Sequence, residues 1–351
     1  MRILKLLRDH STNGITTYHR MLTQALQAQG HAVALWPGPS GRWGQDPRTW
    51  LLHPHLEPLV RQAVAAWQPD IIYVSHYTQA RLAHRLRQTL GIPWVACMHN
   101  GHAPQRMAQW ATLYTNASGI VTMSKTLDQM YQTLVQQTPA WPSGAARPAF
   151  LLSRLPLQAG ALRPPYQAGQ PLVLSYCSRL SGQKGPRCGA WLQAVASLPD
   201  ASALQLQVIG GGSHLAALKK QAQDLGLVVQ FTGMVANPGP FLERTDVLTG
   251  AGYALMEGLV RGCAGVGLGF GGCFGAITPA RLDEAFAVNF GDHCPYQLPD
   301  SPESIAQALR LAIEQHQQGH SAVVAQRCRT QFDPANIAAE LAAFFQTLVK
   351  A

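Results

Sequence analysis

Strand-like and helix-like runs alternate along this chain, in two series separated by a proline-rich stretch. In the first series Ile3-Leu4-Lys5-Leu6-Leu7 reads as a strand, and residues 15–29 carry the apolar spacing of a helix that stops at Gly30. Further strand-like runs lie at 31–36, 71–74, 93–98 and 119–123, and the Gly/Pro-rich segment 37–48 reads as a loop. Seven prolines (139, 142, 148, 156, 164, 165 and 171) then give residues 139–171 the composition of a linker. The second series has strands at 171–177, 204–209, 228–232, 246–248 and 264–268. It closes on two amphipathic helices near 301–318 and 334–349. Strands that alternate with helices of this length build a parallel sheet covered on both faces. The expected class is α/β, with two Rossmann-like doubly wound domains. Residues 1–165, including the linker from about 139, form the first and residues 166–333 the second; helix 334–351 is expected to pack back on the first. Such sheets bind ligands beyond the carboxyl ends of their strands, so a cleft between the two domains is the expected site.

Composition narrows the setting. With 47% hydrophobic and 13% charged residues, the chain can form ordinary cores. No apolar run approaches the roughly 18 residues needed to span a bilayer. The basic start Met1-Arg2 leads into no signal-like stretch, because Lys5 and Arg8-Asp9 interrupt it. The seven cysteines are odd in number and lack Cys-x-x-Cys spacing, which argues against a disulfide framework or zinc site and for a cytoplasmic setting.

Charge is unevenly placed. Residues 1–165 hold 15 Lys/Arg against 5 Asp/Glu, and residues 166–351 hold 12 against 13. The whole positive excess sits in the first half, which favours an anionic partner there, either an acidic acceptor or a membrane surface. The basic residues are scattered and no recognition motif for nucleic acid is present, so nucleic acid is not an expected partner.

Three loops of the second series carry the chemistry. Ser178-Arg179-Leu180-Ser181-Gly182-Gln183-Lys184-Gly185 joins a strand to a helix. Arg179 brings a planar fork of donors, Lys184 a mobile point charge, and the helix start its unpaired N–H groups, a combination that suits a phosphate. Gly210-Gly211-Gly212 follows the next strand and either lets a ligand approach the backbone or simply makes a tight turn. Residues 249–259 place Glu257 among apolar neighbours, where a carboxylate needs a partner such as a ribose diol, or marks a helix start. Five glycines between Gly267 and Gly275 would leave backbone amides, those of Gly271 and Gly272 included, facing a diphosphate or the transferred group.

These residues resemble the retaining glycosyltransferases of family 4, which have the two-domain GT-B fold. Ser178-Arg179-Leu180-x-x-x-Lys184-Gly185 is similar to the family's phosphate-clamping Arg and Lys, and Val208 to Gly212 to its strand and glycine turn. Val229 to Val235 resembles the segment whose backbone reads the base, and Glu257-Gly258-Leu259-Val260-Arg261-Gly262 the element that binds ribose. Asn13-Gly14, Pro69 to His76, Pro93 to His99 and Ser118 to Ser124 are looser matches in the first half. The departure is at Thr249. The family commonly has a glutamate there, eight residues before the one at Glu257, and a threonine cannot carry charge. A later Asn289-Phe290-Gly291 is shared with some members.

The resemblance implies transfer of a sugar from a nucleoside diphosphate sugar to a hydroxyl of a glycan or lipid-linked acceptor, with retention. Arg179, Lys184 and His99 are the implied catalytic residues. Gly14, Gly211, Thr232, Gly233, Met234, Val235, Thr249, Glu257, Gly271 and Gly272 would bind the nucleotide-sugar, with Asn13 and His76 on the acceptor side. No Asp-x-Asp element sits in a suitable loop, so no metal or other cofactor is expected. A sugar-nucleotide epimerase and a non-catalytic nucleotide-sugar-binding scaffold are the rival readings. The role implied for the chain is cell-envelope polysaccharide or glycolipid synthesis, at the inner face of the membrane.

Overall fold

The computed structural model describes residues 1–7, 14–36, 57–101, 105, 111–137 and 146–350. The chain divides into two compact units, Met1–Pro156 with Asp333–Ala351, and Leu157–Phe332. In the first unit, β1 (Arg2–Leu6), β2 (Ala32–Trp36), β3 (Ile71–Val74), β4 (Trp94–Met98), β5 (Gly119–Thr122) and β6 (Ala149–Leu152) form a parallel sheet in the order β2-β1-β3-β4-β5-β6. Its interior strands are buried on both faces, which is why they read as unbroken apolar runs rather than as alternation. One face packs on α2 (Glu57–Trp67), α3 (Tyr77–Leu90) and α4 (Lys125–Gln137), through Val60, Val64, Ala83, Leu86, Leu127 and Tyr131. The opposite face takes α1 (Gly14–Ala28). The terminal helix Pro334–Lys350 belongs to this unit too: Phe345 lies against Tyr73 with ring centroids 5.4 Å apart. Gly119 is needed under that helix, since a Cβ there would come within 2.8 Å of Phe344 and 2.9 Å of Leu348.

The second unit is built on β7 (Val173–Cys177), β8 (Gln205–Ile209), β9 (Val229–Gly233), β10 (Val247–Gly250), β11 (Ala264–Gly269) and β12 (Gly272–Ile277), in the order β12-β11-β10-β7-β8-β9. All pairings are parallel except β11 with β12. The chain moves outward from β7 through β8 to β9, then returns to the other side of β7 with β10. The carboxyl ends of β7 and β10 therefore flank the point where the strand order reverses, where doubly wound sheets bind ligands. The helix α5 (Lys184–Ala196) starts there after β7, and α8 (Gly252–Leu259) after β10; α6 (Leu215–Asp224) and α7 (Gly239–Leu242) lie between them in sequence. Trp191, Leu192 and Val195 of α5 join Leu218 of α6 and Ile305 and Leu309 of Pro302–Gln317 in the core on one face.

Three expectations change. The segment taken for linker contains β6, which pairs with β5 from Gly119↔Ala149 to Thr122↔Leu152. Its prolines lie outside the strand, with Pro148 directly before it, where no ladder donor is lost. Residues 157–165, expected to close the first domain, group with the second unit. Leu157 N–H donates to Phe332 O at 2.8 Å, and Arg163 N–H to Arg261 O at 2.8 Å. The glycine-rich segment 267–275 is an antiparallel hairpin rather than an open loop. A further helix, His320–Gln331, stands between the two expected terminal ones; its few apolar side chains make a weak helical pattern. Counted by unit, 15 Lys/Arg face 7 Asp/Glu in the first and 12 face 11 in the second, so the asymmetry survives the redrawn boundary.

Residues 157–165 are held by Asp246. Its Oδ1 takes Arg163 Nη2 at 2.5 Å, its Oδ2 accepts the Val173 N–H at 2.8 Å, and His316 Nε2 lies 3.1 Å from Oδ1 without good alignment. Burial alone would raise the Asp246 pKa, but His316, the Val173 amide and the Arg163 charge together lower it. A depressed carboxyl pKa contributes stability that is full above its unfolded value and lost as pH falls through the folded one. We expect Asp246→Ala to cost about 3 kcal/mol at neutral pH, because it strips a partly buried guanidinium of its carboxylate and the Val173 amide of its acceptor. Urea titrations should show this difference from wild type shrinking as the pH is taken below about 4.

Candidate active site

The loop after β7 is shaped by glycines of the loop after β8. Ser178 N–H donates to Ile209 O at 3.1 Å, Leu180 N–H to Gly211 O at 2.9 Å, and His214 N–H to Leu180 O at 3.0 Å. Gly210 has φ +137° and Gly212 φ +154°; a Cβ on either would overlap the carbonyl of Ser178 or Leu180. The triple glycine thus serves as a seat for the Arg179–Lys184 loop. Gly211 meets that loop through its carbonyl, and a Cβ on it would come within 2.9 Å of Met234 N.

Arg179 is exposed in this seated loop, and Lys184 opens α5. Lys184 Nζ lies 3.9 Å from Asp292 Oδ1 and 4.6 Å from the centre of the Phe270 ring. The same Asp292 Oδ1 accepts the Phe270 N–H at 3.1 Å. Three consecutive residues before it, Asn289, Phe290 and Gly291, have positive φ (49°, 57° and 97°), a costly run for two side-chain-bearing residues that turns the chain back against β11. One turn into α5, buried Arg187 donates to Phe270 O at 3.1 Å and lies 3.5 Å from Asp300. Asp292, Phe270 and Arg187 were not among the expected site residues. Asn289-Phe290-Gly291 was the signal nearest to them, but nothing in it announces the left-handed backbone that aims Asp292.

Glu257 is half-buried on α8. It and Lys184 both act on Cys177 at the end of β7. Burial pushes that thiol up to about 12, Glu257 adds to the rise and Lys184 opposes it. Lys184 and Glu257 therefore both lie near the end of this strand. Thr232 Oγ1 donates to Gly233 O at 2.9 Å and lies 3.4 Å from Gly210 N; Gly233 O in turn accepts the Gly210 N–H at 3.1 Å. Met234 is 64% exposed beside them and Val235 half-buried.

Two expected contacts are redirected. Thr249 was expected to meet a donor sugar, but it is fully buried within β10 and its Oγ1 accepts Trp191 Nε1–H at 3.1 Å. The position belongs to the core, where a threonine satisfies the indole. The amide of Gly271 was expected to face a diphosphate, yet it donates to Gly291 O at 2.9 Å. A Cβ on Gly271 would come within 2.6 Å of Cys294, and one on Gly272 would overlap the Leu298 carbonyl. These glycines admit the returning chain.

In the first unit, Gly14 begins α1 and Asn13 lies outside the described residues. His76 and His99, after β3 and β4, line one cavity of about 220 Å³ together with Ser75, Cys97, Asn100 and Tyr131. His99 Nε2 lies 3.2 Å from Ser75 Oγ and 3.3 Å from Cys97 Sγ, and its ring meets Tyr18 edge-on at 4.8 Å. All seven cysteines are free, and among the described residues no three His, Cys, Asp or Glu side chains are grouped to hold a metal. No described helix is long and apolar enough to cross a membrane.

Residues 12–140 match the family model described as Glycosyltransferase Family 4. The first unit thus carries a long segment similar to the glycosyltransferases of family 4. No curated protein matches it significantly in sequence. Among solved structures, Anabaena HepE in complex with UDP and glucose is similar with a TM-score of 0.70 at 16% identity, over 99% of this chain and 100% of that one. Sucrose-phosphate synthase from Thermosynechococcus elongatus gives 0.68 at 16% identity, over 99% and 98%. A glycosyltransferase from Rickettsia africae gives 0.68 at 11% identity, over 99% and 98%. At such identities the likeness shows the fold, which is GT-B.

The glycine seat carries a direct consequence. Gly210→Ala would force both a disfavoured φ and an overlap with Ser178. We expect it to cost about 1–3 kcal/mol from backbone strain alone. Hydrogen exchange should accelerate through residues 178–184 while β3 and β4 keep their protection; unchanged exchange in that loop would show that the glycine turn does not hold it.

Proposed function

We propose that this enzyme moves a sugar from a nucleoside diphosphate sugar to a hydroxyl acceptor with retention of configuration. The observation that carries the reading is the Arg179–Lys184 loop, seated at the strand-order reversal of the second unit, with Glu257 on the helix that follows the neighbouring strand β10. Cleavage of the sugar–oxygen bond leaves negative charge on the β-phosphate. Two cations fixed beside that oxygen stabilise the charge as it develops and need no reorganisation at that moment. Lys184 also orients the departing phosphate oxygen, which takes the acceptor's proton, so this mechanism uses no separate general base and no metal. Glu257 holds the ribose diol, and the backbone of Thr232, Gly233, Met234 and Val235 frames the base. His99 supports the donor sugar, and His76 lies on the acceptor side.

The solved structures of HepE with UDP and with UDP-glucose support a uridine nucleotide as the first donor to test. The positive excess of the first unit supports an anionic or lipid-linked acceptor at the cytoplasmic face of a membrane, in cell-envelope glycan or glycolipid synthesis. The burial of Thr249 takes away the main reason for reading the chain as a non-catalytic scaffold, since that residue packs the core rather than replacing a sugar contact.

A thermal-shift screen of nucleotides identifies the base, and the matching sugar donors then serve in turnover assays. Arg179→Ala and Lys184→Ala should each lose on the order of 2–4 kcal/mol of transition-state stabilisation, read as kcat/KM. Wild-type kcat/KM in both would remove the clamp. An inverted anomeric centre in the product, read by proton NMR, would remove the retaining mechanism. Addition of EDTA is expected to leave the rate unchanged.

A further inference from the structure

Beneath the cavity of the first unit lies a buried polar chain that the proposed reaction does not itself use. Lys5, in the middle of β1, is fully buried on the α1 face and donates to His19 O and Thr23 Oγ1, both at 2.9 Å. His19 is 1% exposed, and its Nε2 lies 2.5 Å from Ser75 Oγ. Ser75 Oγ lies in turn 3.2 Å from His99 Nε2, and Cys97 Sγ is 3.3 Å from that same nitrogen. Tyr18 OH and Tyr73 OH, 2.6 Å apart, complete the cluster, and the edge-on contact with Tyr18 fixes the His99 ring plane.

The proton positions follow from counting. Ser75 has one hydroxyl hydrogen for two imidazole nitrogens, so it donates to one and accepts from the other. His19 Nδ1 is buried with no hydrogen-bond partner. If His19 carried its proton there, an N–H would be buried unsatisfied, which is costlier and rarer than an unsatisfied acceptor. His19 therefore carries its proton on Nε2 and donates to Ser75, and Ser75 donates to His99 Nε2. His19 stays neutral: burial holds its pKa well below the ordinary value, with Lys5 and His99 adding to the effect. The Cys97 thiol, pushed up to about 11 chiefly by burial, keeps its S–H and can donate weakly to the same His99 nitrogen.

We propose that Ser75 and His19 are positioning residues that fix the tautomer of His99, with Nε2 as acceptor and Nδ1–H as a hydrogen-bond donor. For the transfer reaction, and resting on the reading that His99 supports the donor sugar, this delivers a neutral donor of defined direction rather than an imidazole that interconverts. The relay His19–Ser75–His99 runs from α1 to the ends of β3 and β4, and the tautomer depends on all three residues.

The tautomer can be read in the ligand-free full chain without any assay of activity, by long-range nitrogen–proton NMR of protein labelled at histidine. His99→Gln assigns the signals. Wild-type protein is expected to show a pyridine-type shift at His99 Nε2 and a pyrrole-type shift at Nδ1. Ser75→Ala is expected to give averaged shifts from mixed tautomers, and His19→Gln, which keeps an N–H for Ser75, to retain the wild-type pattern. A pyrrole-type Nε2 in wild type, or an unchanged pattern in Ser75→Ala, would overturn the relay; the wild-type spectrum decides even where a variant fails to fold. With the authentic donor and acceptor, Ser75→Ala should lower kcat roughly fivefold to tenfold, the worth of one neutral hydrogen bond, with KM unchanged. A switched tautomer with wild-type kcat would support the relay and count instead against the part given to His99 in the transfer.

Discussion

The bond from Leu180 N–H to Gly211 O is the contact on which the arrangement of the second unit depends. It can form only because Gly210 and Gly212 present no Cβ to the loop beside them, so the backbone of one βα turn lies directly on that of the next. Once the loop is seated, α5 begins at a fixed place and Lys184 with it. Arg187 then ties α5 to the carbonyl of Phe270, and Asp292 ties the Phe270 amide to the left-handed run at 289–291. A series of hydrogen bonds, each with a backbone group at one end or both, thus runs from the loop after β8 to the turn before β12 and meets around one ammonium group. Arg179, by contrast, is exposed in the seated loop.

Much of this was legible in the sequence because parallel strands buried on both faces appear as short apolar runs, and because helices stop at glycines. β3, β4, β7 and β8 fall within a residue or two of where those runs were read. What escaped is where a local signal points two ways. The prolines that mark residues 139–171 as linker also flank β6, and composition cannot tell a proline beside a strand from one in a tether. The glycines from Gly267 to Gly275 read as backbone freed for a ligand, but their lack of side chains serves the returning segment 289–298. Local sequence does not say which neighbour requires the missing Cβ.

Thr249 shows the same limit from the other direction. Spacing from Glu257 aligned it with a charged residue of the family's sugar site, yet spacing along a strand does not say which face a side chain takes. Within β10 its hydroxyl meets the Trp191 indole, a partner 58 positions earlier in the chain that no local reading could supply. A buried glutamate would have to find another partner there or lose its charge. In this chain the position therefore serves the core of the second unit.

Lys5 joins the sequence argument to the structural one. It counts toward the positive excess of the first half as a full charge, but burial disfavours its charged form. Burial brings its pKa down to about 7, with Cys97 opposing the shift. Between that value and its ordinary one near 10.5 the unfolded chain holds a proton that the folded chain gives up, so Lys5 works against folding more strongly as pH falls through this range. Its two acceptors, the His19 carbonyl and Thr23, tie β1 to α1 at the turn where His19 meets Ser75. A group that opposes stability while fixing that turn is best understood through what the turn holds, the imidazole at the end of β4.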